Sequence, residues 1–275
     1  MIKIPRGKSG ETALVIAQKI AKEAGSLILK KFYGAKKISV KGINDVVTDA
    51  DKASEKLMRS LIFAEYPEMG FLGEESGGAQ INDGFVWIVD PIDGTRNYAR
   101  GIPFFSLVIG LSFQGNVLLG VTYDPIREEM FYAQEGKGSY LNSERIQVSN
   151  KEKLSECLLG FDLSYTGVAG GQTLDVISNA WGKVAAARLM GSSALGLAYV
   201  ASGRYDIYIH PQLSPWDQIA GILLIQEAGG QITDRYGKPI TLDSTGVLSA
   251  NKTIHRKFYN ESRNLQLMKD ESDKS

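Results

Sequence analysis

The sequence predicts a mixed α/β (α+β) chain, and three observations predict it. Over 10–32 the apolar residues Leu14, Ala17, Ile20, Ala21, Ala24, Leu27 and Ile28 recur at helical spacing with Lys and Glu between them, giving an amphipathic helix. Strand-like runs at 104–113, 117–123 and 129–133 are broken by Gln-Gly-Asn and Asp-Pro-Ile-Arg and read as an antiparallel meander. Further on, helix-length and strand-length patterns alternate at 173–181, 186–190, 193–201, 205–210, 215–228 and 246–250, which indicates an α/β second half. The 275 residues suit one large domain or two closely joined halves, and no repeat or long linker is visible.

Ahead of the first helix, Gly7-Lys8-Ser9 imitates the end of a P-loop, but Ile2 stands where its first glycine belongs and no strand precedes it. Residues 37–40 read as a short extended piece and 41–45 as a loop. The next helix runs to about residue 66, with Thr48 as N-cap and Asp51 three residues on. Asp49 and Asp51 are first-turn acids that the helix dipole already favours. In 69–78 an apolar pair leads to Glu74-Glu75 and then to a glycine-rich loop.

The chain is organised around 85–98. Phe85, Val86, Trp87, Ile88 and Val89 form a continuous apolar run of strand length, which stops on Asp90-Pro91-Ile92-Asp93-Gly94. Pro91 biases Asp90 toward an extended conformation, fixes its own φ and offers no N–H, so the turn holds both carboxylates in place. Gly94 lets the backbone approach a ligand, and 95–99 is a candidate helix start whose free N–H groups suit a phosphate. Taken alone, these residues read as an acidic turn after a core strand, with Asp93 as a helix cap, and it is their neighbours that point to a site. After the meander, 157–161 is a strand candidate. Pro215-Trp216-Asp217 opens an apolar helix, with Pro215 suited to its first turn and Asp217 a first-turn acid. The tail after Leu267 reads as frayed.

Composition narrows the chemistry. The chain is 43% hydrophobic and 23% charged with formal charge zero, so no basic field points to nucleic acid, and an anion must be met by local donors or a metal. A single cysteine, Cys157, excludes an internal disulfide framework and a cysteine-built zinc site, and fits a reducing compartment. The two histidines, His210 and His255, show no metal-binding spacing. Carboxylates remain, and they favour Mg²⁺, Mn²⁺ or Ca²⁺. With no apolar leader and no bilayer-length apolar stretch, the expected location is cytoplasmic, with no membrane partner.

Three blocks, Gly73-Glu74-Glu75-Ser76, Trp87 through Thr95, and Pro215-Trp216-Asp217 through Glu227-Ala228-Gly229-Gly230, resemble the inositol monophosphatase family in order and spacing over most of the chain. The resemblance implies an alternating α/β/α/β/α layered sandwich of the sugar phosphatase type, usually a homodimer. It implies one catalytic unit in which 1–150 carries most metal ligands and 151–275 carries Asp217. Glu74, Asp90, Asp93, Asp217 and the Ile92 carbonyl would hold two or three Mg²⁺, with Mn²⁺ as a substitute, and Asp51 would belong to an outer shell of metal-bound water. Lys41, Glu75 and Thr95 match catalytic positions, Thr95 and Glu75 orienting the attacking water. Asp93, Gly94, Thr95, Ser193, His210 and Asp217 would meet a small phosphorylated substrate. Lithium inhibition is a further expectation from the family.

Arg96 departs from the Thr, Phe or Met common at its position, and His210 stands where inositol-type enzymes place Glu. His210 is either a selectivity residue, protonating near pH 6.5 to attract a second anionic group, or simply the end of a strand packed on the next loop. The expected activity is hydrolysis of inositol 1-phosphate or a related sugar or polyol phosphate. Within the superfamily the alternatives are a fructose-1,6-bisphosphatase and a nucleotide bisphosphate (3′-phosphate) or NADP phosphatase. From other classes come a non-catalytic sugar-phosphate binder, which would not need Glu75 and Thr95, and an NTPase, which lacks its P-loop.

Overall fold

The computed structural model of the chain describes residues 2–34, 38–42, 45–164 and 167–269. Helix α1 (Ala13–Phe32) begins where Thr12 accepts the Val15 N–H; of the predicted stripe it buries Ala17, Ile20, Ala21, Ala24 and Ile28, with Ile16 added, and leaves Leu14 and Leu27 half-buried. A hairpin of β1 (Ile38–Gly42) and β2 (Asp45–Thr48), paired antiparallel where a short extended piece and a loop were expected, leads into α2 (Asp49–Glu65). The expected cap is present there as a full capping box between Thr48 and Asp51.

The larger sheet is formed by β3 (Gly70–Gly73), β4 (Gly77–Gly78), β5 (Phe85–Asp93), β6 (Ser106–Phe113), β7 (Asn116–Asp124), β8 (Glu129–Gln134), β9 (Gly138–Leu141) and β10 (Glu144–Ile146). Its order is β10-β9-β8-β7-β6-β5-β3-β4, antiparallel throughout except between β3 and β5. The predicted meander is β6 to β8. Between β5 and β6 lies the short helix α3 (Thr95–Arg100), at the candidate helix start.

The second half alternates as expected. It contains β11 (Leu158–Phe161), α4 (Gly167–Ala180), β12 (Ala186–Leu189), α5 (Ser193–Ala201), β13 (Ile207–His210), α6 (Pro215–Glu227), β14 (Gln231–Thr233) and β15 (Val247–Ala250). A final helix, α7 (Lys252–Ser262), was not anticipated, although Asn251 caps it through the Ile254 N–H and Ile254 and Phe258 face inward. The five strands form a sheet of order β12-β11-β13-β15-β14.

Stacking follows from the apolar faces. Helices α1 and α2 cover one face of the large sheet, where Ile28, Met58, Ile62, Trp87 and Leu107 share a core. Helices α5 and α6 lie between the sheets with Val86, Ile88, Leu195, Leu223 and Tyr208. Helices α4 and α7 close the far side with Leu159, Val176, Ile207 and Phe258. The result is the α/β/α/β/α sandwich. Covering on both faces explains why β5 is apolar without alternation, since Trp87 and Val89 point into one core and Val86 and Ile88 into the other. Among the described residues no helix is long and apolar enough to cross a membrane.

Candidate active site

Strand β5 does not stop at Val89 as expected but continues to Asp93 with one extra residue in its ladder. Asp90 pairs with Val108 and Asp93 with Ser106, so three steps on β5 oppose two on β6. The bulge falls on Pro91 and Ile92, where Pro91 has no ladder N–H to lose, and Asp90 Oδ1 accepts the Ile92 N–H at 2.9 Å. Both carboxylates are thereby fixed at a buried strand end.

Two other elements bring acids to the same point. Parallel to β5, β3 ends at Gly73, and Glu74 donates its N–H to the Val89 carbonyl at 3.3 Å, beside Asp90. Glu75 follows with its N–H on Glu55 Oε2 at 2.7 Å. Gly73 makes this possible, because a Cβ there would lie 2.4 Å from the Glu55 carboxylate. From the other half, α6 starts with Ser214 as N-cap and Asp217 at its third position, Oδ2 accepting the Ser214 N–H at 2.6 Å. Carboxylate oxygens of Asp90, Asp93 and Asp217 all lie within 4.8 Å of one another.

Asp93 is the most heavily bonded of the set. Its oxygens accept from Ser192 Oγ, from Ser193 N and Oγ at 3.1 and 2.8 Å, from Ala194 N at 3.1 Å and from Ser106 Oγ at 3.2 Å. A protein carboxylate thus occupies the N-terminus of α5, where the exposed N–H groups and helix dipole stabilise an anion. Ser193, expected on the substrate, has its hydroxyl and N–H directed at Asp93. Sequence reading missed Ser192, Ala194 and Ser106; the only local signal was the pair of serines before an apolar helix.

Thr95 stands at the start of α3, after Gly94 in the left-handed region (φ 93°). Thr95 Oγ1 lies 2.9 Å from the Ile92 carbonyl and 3.2 Å from Asp51 Oδ1, so its proton can go to either. The other Asp51 oxygen accepts the Thr48 N–H at 2.8 Å. Expected as part of an outer water shell, Asp51 therefore also faces Thr95 directly, with Glu75 close enough to raise its pKa. The Lys41 side chain lies outside the described residues.

Electrostatically the site carries excess negative charge. Burial first, then the carboxylates of Glu74, Asp93 and Asp217, push Asp90 well above the usual carboxylate range. Burial and Asp93 push Asp217 up to about 7. Burial raises Asp93 as well, against the lowering effect of its hydrogen bonds, and raises Asp51. Among the described residues no Lys or Arg forms an ion pair with Asp90, Asp93 or Asp217. An all-oxygen set with unbalanced charge fits a hard divalent cation.

His210 ends β13, buried, with Nδ1 accepting the Gln212 N–H at 3.1 Å. Burial lowers its pKa to about 3, which favours the packed strand end over protonation near 6.5; with Nδ1 accepting, the neutral ring carries its proton on Nε2. Arg96 is exposed on α3.

Residues 10–267 match the family model described as the inositol monophosphatase family. An inositol-1-monophosphatase of Rhizobium meliloti (strain 1021) is 38% identical over 219 residues, 79% of this chain and 82% of its own. Inositol monophosphatase 1 of Solanum lycopersicum is 37% identical over 260 residues, 92% and 95% of the two chains. The crystal structure of the extragenic suppressor protein suhB from Bartonella henselae superposes with a TM-score of 0.86 at 34% identity, covering 90% of this chain and 97% of that one. With acids from β3, β5 and α6 meeting where those blocks of sequence match, the chain belongs to the inositol monophosphatase family and is a phosphatase.

Proposed function

We propose that this protein hydrolyses inositol 1-phosphate or a related small sugar or polyol phosphate with Mg²⁺ as its metal. The observation that carries the reading is the convergence of Asp90, Asp93 and Asp217, with no Lys or Arg paired to them among the described residues, beside Thr95 and Asp51. Glu74, Asp90, the Ile92 carbonyl, Asp93 and Asp217 are the groups that would hold the ions, two or three in number. Bound there, Mg²⁺ supplies positive charge against a phosphate dianion and makes a water more acidic.

The chain's own residues do the rest. A phosphate monoester repels nucleophiles and its uncatalysed hydrolysis is among the slowest biological reactions, so neutralisation and positioning are the main tasks. Thr95 Oγ1, between the Ile92 carbonyl and Asp51, orients the attacking water together with Glu75 and passes a proton toward Asp51. The backbone at Gly94 and Thr95 receives the phosphate. The rigid strand end keeps Asp90 and Asp93 from moving during transfer. No side chain need be phosphorylated, and the phosphoryl group goes to water.

Lithium inhibition and a homodimer belong to this reading. Supporting a dimer, Leu189 on the edge strand β12, next to Met190, is half exposed, and Trp181 is 68% exposed. The single buried Cys157 supports a reducing compartment such as the cytoplasm. The test is phosphate release from inositol 1-phosphate and a panel of sugar phosphates, with Mg²⁺ and with chelator. Release that needs Mg²⁺ is expected. Turnover that survives full chelation, or no release from any monoester, overturns it.

A further inference from the structure

We propose that Asp162 is a positioning residue, whose buried carboxylate holds the turn at Met190 to Ser192 so that the start of α5 fixes Asp93 in its metal-binding orientation. The inference rests on the metal-dependent phosphatase reading above. Asp162 follows β11, is 6% exposed, and continues the sheet by donating its N–H to the Ile209 carbonyl at 3.3 Å. Its Oδ1 accepts the Gly191 N–H at 2.7 Å and its Oδ2 accepts the Tyr208 hydroxyl at 2.8 Å. The residues that follow Gly191 are Ser192, Ser193 and Ala194, whose donors converge on Asp93.

The turn is gripped from its other side as well. Asn97 Nδ2 donates to the Met190 carbonyl at 2.7 Å and lies 3.3 Å from the Gly191 carbonyl. Gly191 has φ 81°, and a Cβ on it would meet Asn97 at 3.0 Å, so the turn fits between its two holders only as glycine. The Tyr208 ring is seated with equal closeness. A Cβ on Gly196 of α5 would lie 2.3 Å from it, and one on Gly160 of β11 would lie 3.1 Å away. The phenol thus joins β13, α5 and Asp162 in one fixed group.

The residue type follows from the donors. Hydrogens from Gly191 and Tyr208 point one at each oxygen of this side chain, and a carboxylate accepts both at once. An asparagine keeps the Gly191 bond through its oxygen and reverses the other, donating its NH₂ to the Tyr208 oxygen. Burying a carboxylate without a cation is unfavourable, and burial with Asp93 nearby pushes Asp162 up to about 7. A site that retains such a group is one where the position of the Gly191 turn matters.

The experiment compares wild type, Asp162→Ala, Asp162→Asn and Tyr208→Phe. It reads Mn²⁺ binding by electron paramagnetic resonance, Mg²⁺ activation curves, kcat and KM for inositol 1-phosphate, and thermal melts. Asp162→Ala is expected to weaken Mn²⁺ binding and raise the half-activating Mg²⁺ concentration by about tenfold or more, with excess Mg²⁺ restoring part of kcat. Tyr208→Phe, which keeps the Gly191 bond, should move the same constants by less. A merely structural Asp162 would lower the melting temperature and the folded yield while leaving the metal constants of the folded fraction unchanged, and that result overturns the proposal. Where the alanine variant does not fold, the same comparison is made on Asp162→Ser, whose shorter side chain cannot span Gly191 and Tyr208, and unchanged metal constants in it overturn the proposal equally. Wild-type activity indifferent to divalent ions would instead remove the metallophosphatase reading on which the proposal stands.

Discussion

Five donors aim at one carboxylate, Asp93, and its replacement tests the chemistry and the packing together. Asp93→Asn keeps the shape, removes the charge and turns an NH₂ toward groups that are themselves donors. We expect kcat to fall about 10³-fold or more at saturating Mg²⁺. Stability should drop by about 1–3 kcal/mol from the mismatched donors, measured by urea unfolding. His210 gives the opposite kind of prediction. Because the folded ring resists protonation to about 3 while the unfolded ring takes a proton at 6.5, its contribution to stability is intact above 6.5 and is lost as pH falls toward 3. At pH 5 the penalty is about 2 kcal/mol. His210→Gln should therefore show a smaller loss of stability between pH 7 and pH 5 than wild type, and an unaltered activity profile through 6.5. A wild-type inflection near 6.5 that the variant lacks would restore the switching role that burial argues against.

At the level of elements, α6 carries Asp217 to the site, and its seat on the large sheet depends on absent side chains. A Cβ on Gly120 of β7 would fall 2.5 Å from the Ala220 Cα, one turn beyond Asp217. Backbone, not a flexible side-chain end, would have to move. Gly120→Ala should cost about 1–3 kcal/mol of stability and lower activity by displacing Asp217, with KM for Mg²⁺ rising more than KM for substrate. Equal Mg²⁺ response in the folded variant would show that α6 slides without disturbing its first turn. This scale also explains what sequence could and could not reveal. Strand β5, the capping box at Thr48 and Asp51, and the start of α6 at Pro215 are local patterns, readable from neighbours in the chain. The bulge at Pro91 was not, because it is defined by register against β6. Nor were the bonds from Ser192 and Ala194 to Asp93, about a hundred residues apart, or the neutrality of His210, which burial by distant segments creates. Helix α7 was missed for a plainer reason: its apolar residues are few, and Asn251 alone marks its start.

Across the whole molecule, the acids that converge between the halves make stability depend on what neutralises them. Asp217, and Asp162 behind it, have folded pKa values of about 7, above the unfolded carboxylate value. Their contribution is favourable at low pH, where both states are protonated, and is lost as pH rises through the folded values. A divalent cation bound at Asp217 would take over the proton's role there. The gain in melting temperature on adding Mg²⁺ to chelator-treated protein should accordingly be larger at pH 7.5 than at pH 5. The same gain at both values would mean that the ion and the protons do not share these carboxylates.

The hold of α5 on Asp93 bears on the order in which the chain is made. Glu74, Asp90 and Asp93 are complete once β5 has emerged, whereas the donors that steady Asp93 and the acid at 217 arrive only with α5 and α6. A nascent or truncated chain that has built the large sheet alone has Glu74, Asp90 and Asp93 without the donors that steady Asp93 and without Asp217. Such a chain is expected to be inactive as a phosphatase. Turnover during refolding is therefore expected to appear only once α5 and α6 have docked between the sheets, and a truncated chain lacking them tests this.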